Sequence, residues 1–223
     1  MRIYLTHCSA KKDDSSKGSG KKVTPDKLYI EYVCTWNKVP GNDERRLRKF
    51  LMTRFDANWV ENAEIKKIDY EDAILFSLGQ NSAEIRLSKD KATVKINESN
   101  KRSKLEVNEE EGDRKIYYIT KTQRFMRICK TKNVNWAIFS DLYGVWFSEI
   151  EHEWYGDDVG DPNKVSEEKF LQLLRDFDQK LQDYDEIWFY YNPGRFHPLY
   201  ERLLQETSLR DKVNRFTHIR EIV

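Results

Sequence analysis

Two rhythms of apolar and polar positions divide this chain. Arg2 to Thr6, Val134 to Phe139 and Ile187 to Tyr191 are short, nearly continuous apolar runs, and Arg215 to Ile219 is a last one ending near His218. Runs of this length without alternation predict strands covered on both faces, the signature of parallel sheet. The stretches between them carry helical spacing. Thr120 to Lys130 places Phe125, Ile128 and Cys129 on one face, and from Val165 the series Phe170, Leu173, Leu174, Phe177 and Leu181 draws an amphipathic stripe behind the N-cap Ser166. Leu199 to Leu209 predicts a further helix. Alternation of strand and helix in this order predicts a parallel sheet with helices on its faces.

From Glu31 to Asp113 the rhythm changes. Asp43 to Phe55 has helical spacing, whereas Ala83 to Leu87 and Ala92 to Ile96 alternate apolar and polar residues between Lys/Asp/Asn turns, as in a hairpin exposed on one face. An inserted α+β subdomain over 31–113 is therefore expected. Val39-Pro40-Gly41 and the acidic Asn108 to Gly112 mark its borders, and the core domain takes 1–30 and 114–223.

Composition adds little direction. The 223 residues hold 39 Lys+Arg against 38 Asp+Glu, so the net charge of +1 selects no polyanionic, membrane or acidic partner. Six Trp and twelve Tyr supply enough burial to exclude disorder. Cys8, Cys34 and Cys129 are far apart and form no CxxC pair, which argues against a disulfide framework or a Cys-rich zinc site. A reducing compartment fits this usage. Thr6 to Lys22 is polar, with no apolar signal core, and no run approaches the ~18 apolar residues of a spanning helix. The expectation is a soluble cytoplasmic protein without a membrane partner.

Candidate chemistry gathers where the apolar runs end. In an open parallel sheet the carboxyl ends of the strands share one rim, so groups distant in sequence converge there. The first exit is His7-Cys8-Ser9-Ala10-Lys11-Lys12, leading into a Gly/Ser/Lys loop suited to closing over an anion. Cys8 reads either as a nucleophile, if His7, Lys11, Lys12 or a helix N-terminus lowers its pKa, or as a small packed residue that closes the strand. Lys11 and Lys12 read as phosphate ligands, as a desolvated amine nucleophile, or as solvated surface lysines.

The second exit, Ser140-Asp141-Leu142-Tyr143-Gly144, offers Asp141 as a general base or ribose-hydroxyl acceptor, Tyr143 as a stacking ring and Gly144 for the turn. An Asp that only caps the loop reads equally well. The third exit runs from Asn192 through Gly194 to His197. Arg195 there can hold a carboxylate or phosphate bidentately and His197 can move protons near neutrality, against the alternative of a Pro/Gly helix entry with His197 as a packed cap. His152, Trp154 and Tyr155 in the acidic stretch Glu149 to Asp161 read as an aromatic lid over a planar base or as mere cover for the sheet edge. The metal ligand spacings that define known sites do not occur in that stretch.

The same motifs carry a resemblance. Thr6 to Lys12, then Thr24-Pro25-Asp26-Lys27-Leu28-Tyr29, then Gln123 to Cys129 and Trp136 to Gly144 resemble, in order, an uncharacterised prokaryotic family with a Cys-Lys-Lys loop, a Pro-x-x-Leu-Tyr element and a Ser-x-x-Tyr-Gly strand exit. The match covers about residues 1–30 and 115–165. The opening is also distantly similar to the core domain of archaeosine synthase, on whose Cys-x-x-x-Lys spacing Cys8 and Lys12 fall. His7 stands where that family has Pro, and Gly20 where it has His.

What this resemblance implies is a uracil-DNA-glycosylase-like fold: three layers, α/β/α, about a central four-stranded, mainly parallel sheet, with a pocket for a nucleobase or nucleotide. The expected protein is an enzyme acting on a nucleobase, nucleoside or nucleic-acid base, by base modification or N-glycosidic chemistry, needing no cofactor. Cys8, Lys12, Asp141 and His197 are its candidate catalytic residues, and His7, Lys11, Ser140, Tyr143, Asn192 and Arg195 its candidate substrate contacts. The other reading is a noncatalytic nucleotide- or nucleic-acid-binding module whose insert supplies the partner surface.

Overall fold

The computed structural model describes residues 1–8, 20–97, 102–110, 112–155, 161–191 and 196–223, apart from the side chain of residue 102. In chain order the elements begin with β1 (Arg2–His7), β2 (Lys22–Val23), α1 (Pro25–Leu28), β3 (Glu31–Thr35) and α2 (Glu44–Phe55). Six strands follow: β4 (Glu64–Ile68), β5 (Ala73–Leu78), β6 (Asn81–Leu87), β7 (Lys91–Ile96), β8 (Arg102–Glu110) and β9 (Asp113–Tyr118). The rest are α3 (Lys121–Lys132), β10 (Asn135–Ser140), β11 (Gly144–Phe147), β12 (His152–Glu153), α4 (Glu167–Leu181), β13 (Glu186–Tyr190), α5 (Pro198–Glu206) and β14 (Val213–Phe216).

Two compact units result, one from Met1–Ile30 with Thr120–Val223 and the other from Glu31–Ile119. The first holds a five-stranded sheet in the order β11-β10-β1-β13-β14. Within it β10, β1, β13 and β14 pair in parallel, and β11 turns back antiparallel on β10, with Ser140 opposite Gly144. Ile3, Leu5, Ala137, Phe139, Ile187 and Phe189 point into one face, which α4 and α5 cover with Phe170, Leu173, Phe177, Tyr200, Leu203 and Leu204. Tyr4, Trp136 and Ile138 point into the other, against Phe125, Met126 and Cys129 of α3 and Leu28 and Tyr29. Both faces are buried, which is why these strands read as unbroken apolar runs.

The second unit is a seven-stranded antiparallel sheet, β3-β9-β8-β7-β6-β5-β4, curled into a half-barrel. Its concave core packs Leu47, Phe50, Leu51 and Phe55 of α2 against alternate residues such as Ile74, Phe76, Ile85, Val94, Leu105 and Ile116. The alternation that predicted one hairpin runs through six successive antiparallel pairings.

The expected three-layer α/β/α fold on a central parallel sheet is therefore corrected. A mixed five-stranded sheet and a separate seven-stranded antiparallel one stand in its place, so the chain is not the uracil-DNA-glycosylase-like α/β/α sandwich with a small α+β insert. Two local causes account for this. Gly144, at φ +70°, lets the chain reverse directly onto the edge of β10. β7 buries Ala92, Val94 and Ile96 and exposes Lys91, Thr93 and Lys95, the period of two that suits a hairpin strand exposed on one face. The border also moves: Asn108, Glu109 and Glu110 end β8 and pair with β9, Glu110 opposite Asp113, so the unit extends to Ile119. Among the described residues no helix is long and apolar enough to cross a membrane.

Candidate functional site

β1 and β10 are neighbours in register, His7 opposite Phe139, so their carboxyl ends deliver Cys8 and Asp141 to the same place. The backbone N–H of Cys8 donates to the carbonyl of Phe139 at 2.8 Å, extending the ladder one residue and fixing where the side chain leaves. The Cys8 thiol donates to Oδ2 of Asp141 at 3.1 Å, and Tyr200 of α5 donates its hydroxyl to Oδ1 at 2.8 Å. Cys8 Sγ and the Tyr200 oxygen are 3.6 Å apart. Asp141 is only 3% exposed. A buried carboxylate costs several kcal/mol unless hydrogen-bonded, and here both oxygens are engaged.

A second string of hydroxyls runs along the other side of the same strand ends. Ser140, fully buried, accepts the backbone N–H groups of Leu142 and Tyr143, which shapes the turn, and its Oγ lies 2.9 Å from the hydroxyl of Tyr155. The Tyr155 hydroxyl in turn pairs with that of Tyr29. The turn is tied down from α4: Lys169 donates to Leu142 O at 2.7 Å, and Asp176 Oδ2 accepts from Val145 N at 2.7 Å. Both tyrosine hydroxyls are pushed upward in pKa by burial, so they remain protonated donors.

Burial, and after it the negative charge of Asp141, pushes the Cys8 thiol up to about 12. The group is thus a protonated donor at neutral pH rather than a thiolate. Tyr200 is raised as well, by burial first and then by Cys8 and Asp141. His7 stacks on Tyr200 with centroids 4.9 Å apart, and its Nδ1 lies 2.8 Å from the Cys8 carbonyl. That carbonyl can only accept, so Nδ1 carries the proton and Nε2 of the neutral ring is the basic nitrogen. Burial lowers the pKa of His7, outweighing the carbonyl contact and the attraction of Asp141.

His197 has a different place. It N-caps α5, its Nδ1 accepting from Leu199 N at 3.2 Å, and its Nε2 meets Asn163 Oδ1 at 3.0 Å, so both ring nitrogens are engaged. Its ring is 6.0 Å from that of Tyr200, at the edge of the cluster. Tyr143 stacks on His152 at 4.1 Å and donates to Glu153 O. Lys11, Lys12, Asn192 and Arg195 lie outside the described residues. Sequence reasoning passed over Tyr200, which sits on the apolar stripe of α5 with Leu203 and Leu204. The available signal was that a buried tyrosine hydroxyl needs a polar partner.

His7 and His152 give the site a pH dependence. Both have folded pKa values below the ordinary 6.5, mainly through burial. Below pH 6.5 the unfolded chain gains a proton at each site that the folded chain takes up less readily, so stability is full above 6.5 and falls as pH drops below it. Urea melts between pH 7.5 and 5.5 are expected to show this decline, with a shallower slope in His7→Gln. An unchanged slope would show that His7 does not contribute.

Fold and site together define a protein with a mixed α/β unit that keeps a buried Cys–Asp–Tyr cluster at the exits of two adjacent parallel strands. Compared with protein-family profiles, curated proteins and solved structures, the chain matches none.

Proposed function

We propose that the unit formed by Met1–Ile30 and Thr120–Val223 is an enzyme acting on a nucleobase, nucleoside or nucleic-acid base, with Asp141 at its centre. The observation that carries this reading is the carboxylate of Asp141 held between the Cys8 thiol and the Tyr200 hydroxyl at the end of β10. Such a buried polar network is expensive to maintain and specifies a single geometry. A carboxylate in that setting can accept a ring N–H or a sugar hydroxyl and pass a proton, and the neutral ring of His7 beside it provides a second basic nitrogen. Phe196, packed beside His7 and Tyr200, supplies a ring of the kind on which a planar base stacks.

A noncatalytic binding module is favoured by one observation, the raised pKa of Cys8, since a thiol at about 12 is not an activated nucleophile. Calorimetric titration with free purines and pyrimidines, their nucleosides and nucleotides, and short oligonucleotides, followed by mass analysis of the mixture, separates the two. The enzyme reading expects one class to bind, to lose at least tenfold in affinity in Asp141→Asn, and to be converted. Binding without conversion supports the module, and no binding to any member of the panel refutes both.

A further inference from the structure

The charges of unit 1 are not spread evenly, although the whole chain is nearly neutral. Helix α3 reads Lys-Thr-Gln-Arg-Phe-Met-Arg-Ile-Cys-Lys-Thr-Lys, five cations and no acid in 12 residues. Its inner face is Gln123, Phe125, Met126 and Cys129. At 100° per residue, Lys121, Arg124, Arg127, Ile128, Thr131 and Lys132 share the outer face. Beside its second half the exposed Arg220 adds another cation, and Arg127, Ile128, Thr131, Lys132, Ile219 and Arg220 together line a groove of about 300 Å³.

Four of these cations lack the acidic partners that several others in the unit have. Lys180 pairs with Asp176, Arg202 with Glu167 and Glu206, and Arg215 with Glu201. On α3, Lys130 reaches Asp26, and Arg127 is engaged; among the described residues Lys121, Arg124, Lys132 and Arg220 pair with no acid. Lys121–Arg124 and Arg124–Arg127 are like-charge neighbours at i, i+3, and Lys121 sits in the first turn, where the helix dipole disfavours a cation. The arrangement costs the helix stability in isolation and is relieved by a polyanion.

We propose that the outer face of α3 with Arg220 is a docking surface for the sugar-phosphate backbone of a nucleic-acid strand. A 12-residue helix is about 18 Å long, enough to meet several successive phosphates. Ile128 and Ile219 give the groove apolar lining that suits sugar carbons, while the large exposed apolar side chains that a membrane surface would need are absent: those of the described residues are Met1, Tyr70, Leu78, Ile150, Leu171 and Val223, none of them on α3. Position gives the surface its use. α3 ends just before β10 begins, so its C-terminus lies at the amino ends of the strands and its N-terminus, with Lys121, toward the rim of Cys8 and Asp141. A strand laid along the helix leads to that rim, and its binding stands whether or not the rim is catalytic.

Fluorescence anisotropy with labelled single-stranded oligonucleotides of about 15 nucleotides, in RNA and DNA arms, tests this. Four phosphate contacts predict a log–log salt slope of about −3. Arg124→Glu/Lys132→Glu/Arg220→Glu is expected to lose at least tenfold in affinity at low salt, and Arg175→Glu, on α4 across the sheet, to lose little. Arg220→Glu alone, outside any α-helix, gives a smaller loss and keeps the test valid should the triple variant unfold. No binding, a salt-independent affinity, equal loss in Arg175→Glu, or capture by phosphatidylserine vesicles but not by oligonucleotides would overturn the proposal.

Discussion

Gly144→Ala is expected to destabilise the five-stranded unit by about 3–5 kcal/mol, a large share of the ~5–15 kcal/mol that holds a domain together. Three contributions add. The residue has φ +70°, a left-handed conformation that costs an alanine about 1 kcal/mol or more. The new Cβ would overlap Oδ2 of Asp176 and lie 2.6 Å from its Cγ. That side chain cannot simply swing away, because its Oδ2 accepts from Val145 N and its Oδ1 pairs with Lys180 at 2.7 Å. Displacing it orphans the Val145 N–H at the start of β11, worth about 1–3 kcal/mol if buried, and overpacking strain adds about 1–3 kcal/mol. Urea denaturation measures the sum. A loss below about 1 kcal/mol would mean that the turn relaxes freely and does not fix the strand exit. Gly144→Ala/Asp176→Gly should recover the clash but neither the backbone strain nor the Val145 contact, so only part of the loss returns.

That turn also explains what could and could not be read from the sequence. β1, β10 and β13 were visible because strands covered on both faces must be apolar throughout, and α3 and α4 because one face alone is buried. β11 was not visible. Val145, Trp146 and Phe147 are apolar, but three residues after a glycine carry no period, and only their pairing with Ala137, Ile138 and Phe139 of β10 makes them an antiparallel edge. β8 escaped for the opposite reason, since alternate positions are charged and only Leu105 and Val107 turn inward. The acidic run at its end resembles a linker in composition, yet hairpin tips are equally polar. In the site, His7, Cys8, Ser140 and Asp141 were legible because a polar group directly after a buried strand is conspicuous. Tyr200 was not, since on the apolar stripe of α5 a tyrosine reads as core until its hydroxyl is asked for a partner, and neither was Tyr29, which follows the buried Leu28 at the end of α1.

Asp141→Asn is expected to make Cys8 more reactive, not less. If Asp141 served as the base that activates the thiol, its removal would slow alkylation. The geometry argues the reverse. The thiol donates to Oδ2 at 3.1 Å, a bond that stabilises the protonated form, and the carboxylate charge beside it opposes formation of a thiolate. Burial is the larger cause of the shift to about 12 and survives the substitution, so the pKa falls only part of the way toward its ordinary value. At a fixed pH of 8 the thiolate fraction, and with it the rate of iodoacetamide labelling at Cys8 followed by peptide mapping, should rise by about tenfold for each unit recovered. Cys34 and Cys129 are also buried and lie outside the cluster, so their slow rates are the internal reference for general loosening of the fold. Asn keeps the shape of Asp but offers one acceptor oxygen to two donors, costing about 1–2 kcal/mol, whereas Asp141→Leu leaves both Cys8 and Tyr200 without an acceptor and should cost about 3–5 kcal/mol. A fall in Cys8 labelling in a folded Asp141→Asn protein would return the aspartate to the role of activating base and Cys8 to that of nucleophile. A rise at Cys8 alone gives the thiol, with the Tyr200 hydroxyl, the part of a donor that holds the Asp141 carboxylate in place.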